Sequence, residues 1–194
     1  MPLVAIVLVA AILVGYIVGG RLHRIEKLRL RWWGLAPLGL AMQAIPLSTD
    51  SHGIRLLGVS LLIGSFPILI TFVARNIRVP GMALILVGLV MNLTVIAANR
   101  GMPITRHAVL ASGQGKYLDE LPRHHGAKHF LARDEDIVLK PLADVIPLGS
   151  PVNDVVSAGD CVVYAGMFWL IVAAMRGRRI PSDPRPSRAE ADRS

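Results

Sequence analysis

Four stretches of this chain, 2–20, 32–49, 56–74 and 79–99, carry no charged side chain, and a fifth, from about 155 to 175, is broken only by Asp160. About 20 apolar residues in a helix cross a hydrocarbon core ~30 Å thick, where no water can satisfy an exposed backbone. Each stretch therefore reads as a transmembrane helix. The expected fold is an all-α integral membrane protein: a five-helix bundle spanning residues 1–175, with a folded outer loop between its fourth and fifth spans. A chain of 194 residues, 53% of them hydrophobic, leaves no room for a large soluble domain beside five helices.

Charge sets the expected orientation. Five basic residues lie in 21–31, Arg75 and Arg78 follow the third span, and six arginines lie beyond 175. These segments share one side and hold thirteen of the 21 basic residues. By the positive-inside rule that side is cytoplasmic, so the N-terminus lies outside and the C-terminus inside. The +8 net charge is thereby a matter of helix ends facing anionic lipid, and nucleic acid is not an expected partner. Positive charges follow the first span instead of preceding it, unlike an ordinary cleavable signal peptide. Arginine outnumbers lysine 17 to 4, a composition that suggests a GC-rich bacterial genome and a multi-pass protein of the bacterial cytoplasmic membrane. Cys161 is the single cysteine, so no internal disulfide is possible. Residues 176–194, polar and rich in Pro and Ser, read as a disordered basic tail.

The second span has a competing reading. Pro37 and Pro46 each remove a backbone donor, and a re-entrant hairpin there would invert everything upstream. Leu22, Ile25 and Leu28, three apart, read as a stop-transfer flank in preference to an interfacial helix. Small residues at Gly15/Gly19 and Ser60/Gly64 permit close helix packing. Asn92 and Asn99 share a face of the fourth span and read as interhelical glue, with Gln43 a partner for Asn92.

The segment 100–157 reads as an outer cap carrying the function. From 100 to 154 it has seven basic and seven acidic residues, and it holds four of the six histidines. Loops this long are uncommon unless functional or disordered, and the apolar runs 117–121, 130–131 and 137–147 favour a packed cap. A short helix is expected over 123–133. His125 and His129, with Asp134 and Asp136 beyond, have the i, i+4 spacing of a zinc pair. No glutamate follows the first histidine, and Gly126 weakens a helix, so surface histidines are preferred and no metal or cofactor is expected.

Three acids stand out. Asp160 with Ser157 has the form of an N-terminal helix cap, and near the outer interface it is also a candidate ligand or catalytic carboxylate. Asp144 lies in an apolar run, where a solvated acid is out of place. Brought close together, the two would share a proton as aspartyl hydrolases do. Asp154 is a third candidate, placed in the exposed connector.

The run Asn99-Arg100-Gly101-Met102-Pro103, the pair Lys128-His129, the segment Leu142-Ala143-Asp144-Val145-Ile146-Pro147 and the turn Ser157-Ala158-Gly159-Asp160 together resemble domain of unknown function 5317. That family comprises small bacterial polytopic membrane proteins, and the likeness covers roughly residues 1–175. It carries a second glycine where this chain has Arg100. The resemblance implies a membrane location and a cluster of outer-face residues, and no reaction. A fainter likeness to lipoprotein signal peptidase rests on Asp160 opening a last helix with a basic cytoplasmic end; Ser157 stands where that enzyme has asparagine.

Asn99, Gly101, Lys128, His129, Asp144 and Asp160 are thus the expected ligand-binding residues at the mouth of the cap. The favoured reading is a non-enzymatic protein binding a small ligand, lipid head group or protein partner there. A hydrolase using Asp144 and Asp160 is the alternative, and a small transporter ranks behind both, since no charge lies mid-span.

Overall fold

Helix α4 (Met82–Asn99) packs against two other long apolar helices. The computed structural model describes residues 2–44, 52–119, 121 and 129–177. Its apolar helices are α1 (Pro2–Ile17), α2 (Leu35–Ala44), α3 (His52–Arg75), α4 and, after the cap, α6 (Ala158–Met175). Among the described residues three of them, α3, α4 and α6, are long and apolar enough to cross a membrane.

That count corrects the expected five. Among the described residues α2 has 10, which rise only about 15 Å, and α1 has 16, which rise about 24 Å, both short of a ~30 Å core. The causes are local. Gly19 takes φ 77° and Gly20 donates back to the Gly15 carbonyl at 2.8 Å, which turns the chain out of α1. α2 starts late because Trp32 is itself at φ 54°, and Pro37, lacking an amide hydrogen, falls in the first turn. Pro46 lies outside the described residues.

α4 and α6 run antiparallel and meet through glycine. A Cβ on Gly88 would stand 2.5 Å from the Gly159 carbonyl oxygen and 2.6 Å from Val163. One heptad away, a Cβ on Gly81 would collide with the Gly166 carbonyl oxygen, and one on Gly166 would stand 2.8 Å from the Gly81 oxygen. Each glycine therefore receives the backbone of the other helix, an approach that larger residues forbid. At the other end of α6, Met175 is wholly buried against Gly15 and Gly20, and Arg21 donates to its carbonyl at 2.9 Å. Gln43 donates to Ser65 Oγ at 2.9 Å, joining α2 to α3; the expected Gln43–Asn92 pair is replaced by this bond.

Asn76, just past α3, holds the backbone of a remote residue from both sides. Its Oδ1 accepts from the Arg31 amide at 2.8 Å, while its Nδ2 donates to the carbonyls of Arg31 and Phe72 at 2.9 and 2.8 Å. Nearby, the Arg75 guanidinium lies over the Trp32 ring at 4.3 Å, close enough for cation–π attraction.

The cap departs from the all-α expectation. Strand β1 (Met102–Thr105) leaves α4 almost directly, and its four residues are buried. Helix α5 (Arg106–Ala111) follows, capped by Thr105, whose side chain accepts from the Ala108 amide. Strand β2 (His129–Ala132) returns parallel to β1, with Met102 opposite His129 and Thr105 opposite Ala132. On the far side of β1, Asp144 forms a parallel bridge with Ile104. An antiparallel pair, β3 (Ile146–Leu148) and β4 (Asp154–Val156), then leads into α6. The helix expected over 123–133 is a strand at 129–132; residues 122–128 lie outside the described set, as do 178–194 and with them most of the expected tail.

Candidate functional site

Ser157 and Asp160 form a complete capping box at the start of α6. Ser157 Oγ accepts from the Asp160 amide at 2.9 Å, and Asp160 Oδ2 accepts from the Ser157 amide at 3.1 Å. The other carboxylate oxygen, Oδ1, accepts from Asn92 Nδ2 at 2.7 Å, and Asn92 Oδ1 accepts from Ser157 Oγ at 3.0 Å. Asn92 thus ties α4 to α6 as interhelical glue, and both oxygens of Asp160 have donors.

Asn99 repeats the device of Asn76 at the opposite end of the bundle. Its Nδ2 donates to the carbonyls of Val95 and Val138, both at 2.8 Å, and its Oδ1 accepts from the Val138 amide at 3.0 Å. This binds the cap to the end of α4. Arg100 at φ 53° and Gly101 at φ 144° make the turn into β1, and the Gly101 amide donates to the Ile96 carbonyl at 3.0 Å. Gly101 serves the backbone path, which only glycine adopts readily.

Asp144 is the anomaly. Its amide donates to the Pro103 carbonyl at 3.1 Å, fixing it beside β1, and the residue is only 4% exposed. Oδ2 lies 3.8 Å from Nε2 of His129, whose side chain is 45% exposed. Oδ1 is buried without a hydrogen-bond partner. Burial holds this carboxyl well above the usual carboxylate range, and the charges of Asp160 and Asp154 push it the same way. Asp154 belongs to β4, half-buried, and not to an exposed connector; its Oδ1 accepts from the Val155 amide at 3.0 Å. Lys128 and His125 lie outside the described residues. Among the described residues no three His, Cys, Asp or Glu side chains converge as a metal site.

A separate cleft of about 910 Å³ opens in the cap, lined by Arg106 and His107 of α5, Asp119, Phe130 of β2, and Arg133, Asp134 and Asp136 beyond it. It lies past the carboxyl ends of the two parallel strands: Thr105 and Ala132 are register partners, and the next residues of each strand enter the lining. Open parallel sheets place ligands at that end, because the connections diverge there. Sequence reading missed this cleft, since its walls lie far apart along the chain and meet only through the β1–β2 pairing. Asp134 is held by Lys140 at 2.7 Å, and Arg133 approaches Glu135 at 3.9 Å.

No curated protein and no solved structure matches this chain. The sequence pattern of a family of unknown function, DUF5317, matches residues 27–172, a stretch that takes in α2, α3, α4, the cap and nearly all of α6. The chain belongs to that family.

Proposed function

We propose that this is a multi-pass protein of the bacterial cytoplasmic membrane whose cap, on the outer face, binds a small zwitterionic ligand. The observation that carries this reading is the cleft beyond β1 and β2. It offers Arg106, His107 and Arg133 to an anionic group, and Asp119 and Asp136 to a cationic one. Phe130 gives it an apolar wall. Such mixed lining suits a molecule carrying both charges, either free or as a lipid head group.

The test is calorimetric titration of the purified full-length protein with O-phosphoethanolamine, against inorganic phosphate and ethanolamine as single-charge controls. The expected result is preference for the zwitterion, weakened about tenfold or more in Arg106→Ala and Arg133→Ala. Equal affinity for the three probes, or unchanged affinity in both variants, would overturn the reading.

A hydrolytic role for Asp144 and Asp160 is favoured by one observation, the burial of Asp144 with its Oδ1 left without a hydrogen-bond partner. The commitment of both Asp160 oxygens to Asn92 and Ser157 opposes it. Loss of peptide-bond cleavage in Asp144→Asn and Asp160→Asn alike, from a wild type that cleaves, would move this second reading to the front.

A further inference from the structure

The cleft in the cap touches Phe130, Leu131 and Ala132 in succession, while its described lining includes no residue of β1. Successive side chains of a strand point to opposite faces, so a cavity that meets three in a row borders the edge of the strand. β1 covers one edge of β2, which puts the cleft along the other.

The pairing tells which backbone groups face it. Pro103 gives its carbonyl to the Asp144 amide, so Pro103 and Thr105 turn their backbone towards Asp144, and Met102 and Ile104 turn theirs towards β2. In a parallel ladder the bonds are slanted, and a residue joins the two neighbours of the one opposite it. Ile104 stands opposite Leu131 and so takes Phe130 and Ala132. The N–H and C=O of Leu131 therefore point away from β1, on the side of the cleft. Among the described residues no backbone group outside the β1–β2 ladder pairs with them. Such an edge is a template for an extended chain.

The rest of the lining selects the occupant. Arg106, His107 and Arg133 suit a carboxylate, and Asp136 suits an ammonium, which are the two ends of a short peptide. A strand within a folded partner has neither end free. The cleft of about 910 Å³ has the size of a small-molecule site. Laid beside Leu131 in either direction, a tripeptide is the shortest peptide that presents both an amide N–H and an amide carbonyl to it. We infer that the zwitterion bound in this cleft is a short peptide of about three residues, extended along the far edge of β2 and hydrogen-bonded to the backbone of Leu131. This rests on the cleft being a zwitterion site, as proposed above, and adds the chemical class of the ligand.

Calorimetric titration of the purified full-length protein compares trialanine with ω-aminooctanoate, a zwitterion whose ends are separated by as many bonds but which has no peptide group. Trialanine is expected to bind about tenfold tighter or more, as two added hydrogen bonds would give. Leu131→Pro removes the outward N–H and leaves the ladder to β1 its bonds. It should weaken trialanine about fivefold and leave ω-aminooctanoate unchanged, whereas Arg106→Ala should weaken both. Equal affinity of wild type for the two probes would overturn the inference and leave the zwitterion site standing. Failure of both probes and of O-phosphoethanolamine would remove the underlying reading as well. A dimer that Leu131→Pro dissociates and trialanine does not disturb would place a second copy on this edge, and would also overturn the inference. The comparison of the two probes requires no variant.

Discussion

The amide of Asn92 in α4 donates to Asp160 in α6 at 2.7 Å, although 68 residues separate them. The same Asn92 accepts from Ser157, so one side chain serves both members of the capping box. Asn92→Ala leaves Asp160 Oδ1 without its donor and the Ser157 hydroxyl proton without its acceptor, and should cost about 1–3 kcal/mol. Asp160→Asn keeps a capping oxygen and should cost less. A double-mutant cycle of the two, read by reversible unfolding in detergent, is expected to show coupling of about 0.6–2 kcal/mol. Strict additivity would mean that the bond contributes nothing.

Asn99 and Asn76 each clamp a remote peptide group, at Val138 and Arg31 respectively. Asn99→Ala strands the amide and carbonyl of Val138 and should loosen the cap. Limited proteolysis is expected to cut near Val138 at least several-fold faster, with cleavage near Arg31 unchanged. Asn76→Ala should give the reverse pattern. Both variants opening both segments would show that the two clamps are not local devices.

Alanine at Gly88 or Gly166 drives a methyl group into the backbone of the facing helix. Each change should destabilise by about 1–3 kcal/mol, as overpacking does. Gly149 has nothing within 4 Å of the corresponding position, so Gly149→Ala is the control and should stay near neutral. Comparing unfolding midpoints of the three variants checks the glycine contact directly.

The raised carboxyl of Asp144 makes stability depend on pH in a stated direction. Burial is the main cause, with Asp160 and Asp154 adding to it. The unfolded chain gives up this proton near the ordinary carboxylate value of about 4, while the folded chain keeps it to higher pH. The stabilising contribution is therefore full below that value and is lost as pH rises through the interval up to the folded value. Asp144→Asn removes the titration. The midpoint of wild type is expected to fall relative to the variant as pH rises, and a difference constant with pH would contradict the assignment.

How much of this could be read beforehand depended on how local the cause was. The cores of α3, α4 and α6 follow from unbroken apolar runs, and the cap of α6 from a serine three residues before an aspartate. The burial of Asp144 follows from its apolar neighbours. The lengths of α1 and α2 were not legible, because Gly19 and Trp32 end regularity through left-handed backbone that apolar counting ignores. Strands β1 and β2 were missed because their signal is mutual: Met102–Thr105 contains a proline and becomes a strand only beside its partner. The heptad spacing of Gly81 and Gly88, matched by Gly159 and Gly166, was visible in the sequence. Of the small residues four apart, Gly15 receives Met175 together with Gly20, while Gly19 has nothing within 4 Å of its Cβ position.

The contact between α4 and α6 also bears on how the chain is made. Asn92 leaves the ribosome 68 residues ahead of Asp160, roughly 3–14 s at a synthesis rate of ~5–20 residues per second. Through that interval α4 stands with its glycine groove open and its amide unsatisfied, while the whole cap is still to be synthesised. The last described helix to emerge is the one that closes the groove, so a nascent chain halted before α6 would present a ready surface to any quality-control factor that recognises unpaired polar groups.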